Sequence, residues 1–176
     1  MLDGAQGNNV TATDYLDLKR EIIRRKIPLV AVRAGQKLHL GSASMRVLAP
    51  LPPLLDGDNN NSAVMRLDYG QTSVLLTGDI ETEAEARLLR RGANVKCTIL
   101  KAAHHGSQTS TTAALLKASR PQAALISCGR YNAFGHPSST VLERLGKSKV
   151  ASFRTDLDGA IEVLSDGQKC WIQTTR

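Results

Sequence analysis

The feature that most constrains the fold is a fully apolar segment, Val74-Leu75-Leu76, that runs directly into Thr77-Gly78-Asp79. A short strand without polar alternation is typical of a sheet that is covered on both faces. Such a sheet lies between layers of helices, because each of its faces must be buried against another element. The segment therefore predicts an α/β architecture in which polar residues follow a central strand.

Predicted strands and helices alternate along the rest of the chain. The predicted strands are 29–32, two within 36–49, two within 63–79, 95–103, 123–128, 149–155, 159–164 and 169–172. The predicted helices are 15–26, 81–91, 110–119 and 137–145, with Ser110 capping the third and Gly146 ending the fourth. This order indicates a mixed sheet closed by a β-meander. A chain of 176 residues is long enough to bury one core, so we expect one domain or a large part of one.

The chain is basic, because its 23 Lys and Arg residues outnumber its 16 Asp and Glu residues and give a formal charge of +7. Such a surface attracts polyanions such as nucleic acid, although a solvated basic face without any partner fits the charge equally well. Aromatic residues make up only 3% of the chain, which argues against a base-stacking sheet of the kind that binds single-stranded nucleic acid. No apolar run reaches about 18 residues, so the sequence predicts a soluble chain.

Two groups of reactive side chains follow predicted core strands, at the edge where open α/β sheets bind their ligands. Asp79 follows the first strand, and a carboxylate there either caps the next helix or needs a charged partner. His104 and His105 follow the next strand. Neighbouring side chains of a strand point to opposite faces, so only one imidazole is expected to bind a metal ion directly. The other is then a supporting hydrogen-bond donor, a phosphate contact or a general acid.

A third group lies in the loop of residues 127–137, where His136 precedes a predicted helix. Arg130, Asn132 and the amides of that helix can face an anionic substrate. The alternative is an ordinary turn in which His136 caps the helix. His39 lies in a predicted alternating strand away from these groups and is interpreted as structural.

Three motifs, LLTGD, LKAAHHGSQTS and YNAFGHP, resemble in order and spacing the C-terminal half of the metallo-β-lactamase-like domain of the ComEC competence family. The resemblance runs from Asn60 to the closing FRTDLDGAIEV and is loose before about Gly35. It implies an α/β fold that forms the C-terminal half of a metallo-β-lactamase αββα sandwich, with a mixed sheet and the closing β-meander.

The resemblance also assigns roles to residues. It implies that Asp79 bridges two divalent ions, zinc or manganese, and that His104 or His105 completes the second metal site. The family pattern places catalytic duty, such as holding phosphate or protonating a leaving oxygen, at Asn132 and His136. The remaining candidate contacts for a substrate phosphate are Ser107 and Arg130.

One departure from the family pattern is severe. The H-x-H-x-D-H cluster, which belongs to the N-terminal half of the family fold, is absent from this sequence, and none of the four His has that spacing. One Asp and one His hold a divalent ion poorly, because zinc sites use three or four protein ligands. We therefore expect residues 1–176 to be a partial domain, inactive and metal-free in isolation. Whether it is a fragment or a truncated relative stays open.

The resemblance implies a metal-dependent phosphodiesterase or nuclease that acts on DNA during bacterial transformation.

 The expected substrate is single-stranded DNA. The parent protein is expected to carry a membrane channel domain in the bacterial cytoplasmic membrane, with the outer side favoured for this segment.

A non-catalytic alternative stays open, so the sequence alone does not decide whether the chain is an enzyme. It is a module that binds the DNA backbone while its metal site is vestigial. Its candidate contacts are Lys19, Arg20, Arg24, Arg25, Arg90 and Arg91. A serine hydrolase that uses Ser107 with His136 is disfavoured, because the chain has no G-x-S-x-G motif.

Overall fold

The structure is a computed structural model that describes residues 2–3 and 13–176; residues 1 and 4–12 lie outside the described part. Its strands are β1 (Leu2–Asp3), β2 (Val30–Ala31), β3 (Lys37–Leu40), β4 (Ala43–Ala49), β5 (Val64–Tyr69), β6 (Thr72–Leu76), β7 (Ile99–Lys101), β8 (Ala123–Ile126), β9 (Ala151–Arg154), β10 (Ile161–Ser165) and β11 (Cys170–Thr174). Its helices are α1 (Thr13–Arg24), α2 (Thr82–Arg90), α3 (Ala113–Ser119), α4 (Ser139–Lys147) and α5 (Thr155–Asp158). Two 3-10 turns span Asn59–Asn61 and Ala103–Gly106.

The main sheet has seven strands in the order β3-β4-β5-β6-β7-β8-β9. Strands β3 to β6 pair antiparallel; short turns join β3 to β4 and β5 to β6, and the longer loop 50–63 joins β4 to β5. Strands β6 to β9 pair parallel, because helices α2, α3 and α4 form the crossovers. The mixed sheet that the sequence predicts is thus confirmed. Among the described helices, none combines the length and the apolar character needed to cross a lipid bilayer.

The main core lies on one face of this sheet. Leu75, Leu100 and Ala124 share that face through their register and are fully buried. Leu88 of α2 and Leu115 of α3 belong to the same cluster, as does Val141 of α4. Burying a large aliphatic side chain contributes about 1.5–3 kcal/mol, so this face supplies most of the packing energy.

The opposite face of the sheet is covered less completely. Its register brings together apolar side chains from neighbouring strands, including Met65, Leu67, Val74, Leu76 and Leu125, and all five are half-buried. The prediction that β6 is covered on both faces therefore holds fully only for the face that packs against the helices.

The turn that carries the two adjacent histidines is tied to α2 by a buried carboxylate. Glu85 is fully buried and accepts hydrogen bonds from Thr111 N at 2.5 Å, Thr112 N at 2.9 Å and Thr112 Oγ1 at 2.6 Å. Burial raises the pKa of Glu85, and the hydrogen bonds from Thr112 and Thr111 oppose that rise. From α4, Arg144 Nη1 donates to Ser110 O at 2.9 Å, so the segment is held from two sides.

Two predicted helix ends are wrong. Ser110 does not cap α3, because its hydroxyl donates to Ala103 O and Ser107 O, and Thr112 Oγ1 accepts from Leu115 N instead. Gly146 lies inside α4 rather than after it, and Ser138 caps the start of that helix. At the start of both helices, a serine or threonine directly before the first helical turn takes the capping position.

Two predicted strand regions also differ from the structure. The strand predicted over 95–103 is reduced to the three residues of β7, because the histidine turn begins at Ala103. The closing segment is not one meander: β9 joins the main sheet parallel to β8, and only β10 and β11 form an antiparallel hairpin. The crossover through α4 brings β9 alongside β8, and α5 then separates β9 from β10.

Replacing Glu85 with Ala is expected to lower the free energy of unfolding by about 3 kcal/mol, because three hydrogen-bond donors lose a buried acceptor. Urea unfolding followed by circular dichroism measures this change. Glu83→Ala removes an exposed carboxylate from the same helix and is the matched control, with an expected change below about 0.5 kcal/mol. An equally small effect of Glu85→Ala would show that this carboxylate does not hold the turn.

Candidate functional site

The register of the parallel strands brings three chain segments to one edge of the sheet. Leu76, Lys101 and Leu125 lie side by side on β6, β7 and β8. Asp79 lies three positions after Leu76, and His104 lies three positions after Lys101. Because parallel strands end at the same edge, their following segments converge there.

Asp79 and His105 lie next to each other at this edge. Asp79 Oδ1 is 3.5 Å from His105 Nε2 and 3.9 Å from Lys101 Nζ. His105 Nδ1 donates to Ser127 O at 2.7 Å, since a carbonyl oxygen only accepts. In the neutral ring the proton is therefore on Nδ1, and the lone pair of Nε2 faces Asp79. A backbone carbonyl bound to the far nitrogen is the arrangement that orients metal-binding histidines.

His104 points to a different set of neighbours. Its Nδ1 lies 3.2 Å from Glu81 Oε1, off the line of a regular hydrogen bond, and its ring centroid lies 5.7 Å from that of His136. Glu81 Oε1 also accepts from Thr109 Oγ1 at 2.8 Å. The sequence left the choice between the two histidines open, and the structure places His105, not His104, beside Asp79.

The two histidines diverge for a reason that the sequence did not predict. His104 and His105 do not extend a strand; both have left-handed backbone conformations, with φ of 48° and 55°. Their opposite directions therefore come from a turn rather than from strand alternation. Asp79 does not cap a helix either, because α2 begins at Thr82 and its preceding residue is Glu81.

The loop after β8 is organised by Asn132. Its Nδ2 donates to Gly129 O at 2.8 Å and to His136 O at 2.7 Å, and its Oδ1 accepts from His136 N at 2.9 Å. The side chain of Asn132 thus fixes the backbone of His136. Among the described residues, His136 Nδ1 is buried without a hydrogen-bond partner. His136 does not cap α4, since Ser138 does.

Ser107 and Arg130, the two residues predicted to contact phosphate, both form contacts with other residues of the chain. Ser107 is buried, and its Oγ lies 3.0 Å from Thr109 Oγ1. Arg130 is exposed, and its Nε donates to Asp156 O at 3.3 Å. Their roles as phosphate contacts stay predictions.

Sequence reasoning did not identify three residues that border the site. Glu81 lies beside His104, and Lys101 lies beside Asp79, where burial lowers the pKa of Lys101 and Asp79 partly opposes this. Phe134 lines a cavity of about 280 Å³ together with His105 and His136. The signal for Glu81 was its position two residues after Asp79, but that position also suits the acidic first turn of a helix.

Comparison with known proteins identifies the family. The sequence profile of the metallo-beta-lactamase superfamily matches residues 11–130. The chain belongs to the metallo-beta-lactamase superfamily. The match begins well before Gly35, where the motifs alone gave only a loose resemblance, and the seven-stranded mixed sheet agrees with the predicted fold class.

Curated relatives of this superfamily member include a protein named as a competence protein. It is 34% identical over 136 residues to ComE operon protein 3 of Bacillus subtilis, which covers 77% of this chain and 18% of the relative. It is 37% identical over 143 residues to Recombination protein 2 of Haemophilus influenzae, covering 81% and 18% of the two chains. It is 38% identical over 106 residues to Competence protein ComA of Neisseria gonorrhoeae, covering 60% and 15%. The resemblance to the ComEC family is confirmed, and the chain spans less than a fifth of these relatives.

Membership of the superfamily implies divalent metal ions. The side chains at the site therefore decide whether this chain can hold a metal ion by itself. Within residues 2–3 and 13–176, no group of three His, Cys, Asp or Glu side chains is arranged to hold a metal ion. Asp79 and His105 supply two converging donors, whereas zinc sites use three or four protein ligands. The residues present therefore do not complete a metal site.

Replacing His104 with Gln is expected to raise the pKa of His136. Burial lowers the pKa of His136, and the charges of His104 and His105 lower it further. Gln keeps much of the side-chain volume and removes one of these charges, so protonation of His136 becomes easier. A pH titration followed by NMR of the imidazole Cε1 protons measures the change, with His39→Gln as the control. An unchanged His136 pKa would show that the two rings are not coupled.

Proposed function

We propose that this superfamily member is part of a metal-dependent phosphodiesterase or nuclease domain that acts on DNA during DNA uptake by bacteria. The observation that carries the proposal is the convergence of Asp79 and His105, with 3.5 Å between Oδ1 and Nε2. A carboxylate and an imidazole at the end of parallel strands are suitable donors for Zn²⁺ or Mn²⁺. The names of the competence relatives and the charge of +7 support DNA as the substrate.

The rest of the metal site is proposed to come from an N-terminal half that carries the H-x-H-x-D-H motif. Residues 1–176 are then a single partial domain. The half-buried sheet face that includes Met65, Val74 and Leu76 supports this, because an αββα sandwich packs a second sheet against such a face. The parent protein is proposed to be a membrane channel, as the ComEC resemblance implies.

In the complete domain, Asp79 and His105 would be two of the side chains that hold divalent ions. Bound divalent ions activate water and neutralise phosphate charge. His136 is the candidate proton donor to the leaving oxygen, and Asn132 positions it through the loop backbone. The exposed guanidinium of Arg130 can reach a phosphate, whereas Ser107 would first have to leave its contact with Thr109.

A second candidate function is a non-catalytic module that binds the DNA backbone. The lack of a three-residue metal group among the described residues favours it for the chain in isolation. Its predicted basic surface is weakened on α1, because Arg20 pairs with Asp17, and Arg24 and Arg25 both pair with Glu21. Paired charges attract phosphate less strongly, so catalysis in the complete domain remains the leading proposal.

In a polypeptide that also carries the H-x-H-x-D-H motif, Mn²⁺ or Zn²⁺ is expected to support cleavage of single-stranded DNA. Asp79→Asn and His105→Gln should each lower the cleavage rate at least about 100-fold, because each removes a metal donor. His39→Gln is the matched control and should cleave at the normal rate. Gel analysis of a labelled oligonucleotide measures the rates.

The two candidate functions give opposite results in this assay. Cleavage that survives Asp79→Asn would contradict the assignment of the carboxylate. Absence of cleavage together with DNA binding that weakens steeply with salt would favour the backbone-binding module.

A further inference from the structure

The few aromatic residues of the chain are unevenly placed. The chain has one Trp, three Tyr and two Phe. Tyr131 and Phe134 both lie in the loop after β8 and are 93% and 82% exposed, more than any other large apolar side chain among the described residues. Single exposed apolar residues are ordinary, but two aromatic rings within four positions at the rim of a site indicate a contact surface.

The loop forms one wall of a cavity beside the candidate site. Its volume is about 280 Å³, and its lining includes Phe134, Gly129, His105 and His136. Pockets for drug-sized ligands measure about 300–1,000 Å³, so this cavity suits a smaller flat group of one or two rings. In the proposed function, His105 of this lining is a metal ligand and His136 is the proton donor to the leaving oxygen.

The ring of Phe134 is presented with one face supported. It lies nearly parallel to the imidazole of His136, with 21° between the ring planes and 5.8 Å between the centroids. Because most of the Phe134 side chain is exposed, the rest of its surface is accessible to a second flat ring. The three hydrogen bonds of Asn132 hold the loop in this shape, which reduces the entropy lost on binding.

We propose that this loop binds a nucleobase of single-stranded DNA, with Phe134 as its stacking surface and Tyr131 contacting a neighbouring base. The inference rests on the proposed function, because it requires a DNA strand at the edge formed by Asp79 and His105. The exposed Arg130 directly precedes Tyr131 in the same loop, where its charge suits the strand's phosphates. Bases within a duplex are paired and stacked, so such a contact selects single strands.

The test compares two labelled 12-nucleotide strands of equal charge, one with bases and one fully abasic, by fluorescence anisotropy on the 176-residue chain. The strand with bases is expected to bind about tenfold more tightly, as one good stacking contact provides. Phe134→Ala should remove most of this preference, and Phe134→Trp should keep it. Trp171→Ala, which removes a half-exposed aromatic residue from β11, is the matched control and should leave the preference unchanged.

Equal affinity for the two strands, or an unchanged preference in Phe134→Ala, would overturn the stacking inference while DNA cleavage by the complete domain still stands. Absence of binding to either strand would also overturn the stacking inference, whereas the proposed function is tested separately by the cleavage assay on the complete domain. The melting temperature of Phe134→Ala, expected to equal that of the original chain because the side chain is exposed, shows that the variant is folded.

Discussion

The register of the parallel strands β6, β7 and β8 is the constraint on which the site depends. It aligns Leu76 with Lys101 and Lys101 with Leu125, so the segments that follow start from the same level of the sheet. A shift of one residue in one strand would move its side chains to the other face. Asp79 and His105, which are far apart in sequence, therefore meet because the sheet places them there.

The histidine turn is held in an unfavourable backbone conformation by its surroundings. His104, His105 and Thr111 all have positive φ, at about 1–2 kcal/mol for each such residue. His104 N donates to Gly78 O, Ala103 N donates to Thr111 Oγ1, and the buried Glu85 accepts from the end of the segment. Non-glycine residues with such conformations cluster at functional sites, because packing must compensate for them.

Much of the fold could be predicted from the sequence, because apolar runs and turn residues mark the strands. The motifs after β6 and β7 also indicated which side chains meet. The conformation of His104 and His105 could not be predicted, since it depends on tertiary contacts: Glu81 lies beside His104, and Glu85 of α2 binds the following Thr111. The same holds for β9, whose partner is set by a crossover rather than by its own residues. Whether His104 or His105 faces Asp79 was likewise a matter of tertiary contacts.

NMR of the four histidine side chains during Mn²⁺ addition shows directly whether Asp79 and His105 act together on a cation. Paramagnetic broadening falls steeply with distance from the ion, so it reports even weak binding. The imidazole signals of His105 are expected to broaden at the lowest Mn²⁺ concentration and those of His39 at the highest. Equal broadening of both, or sharp His105 signals while another histidine broadens, would contradict it.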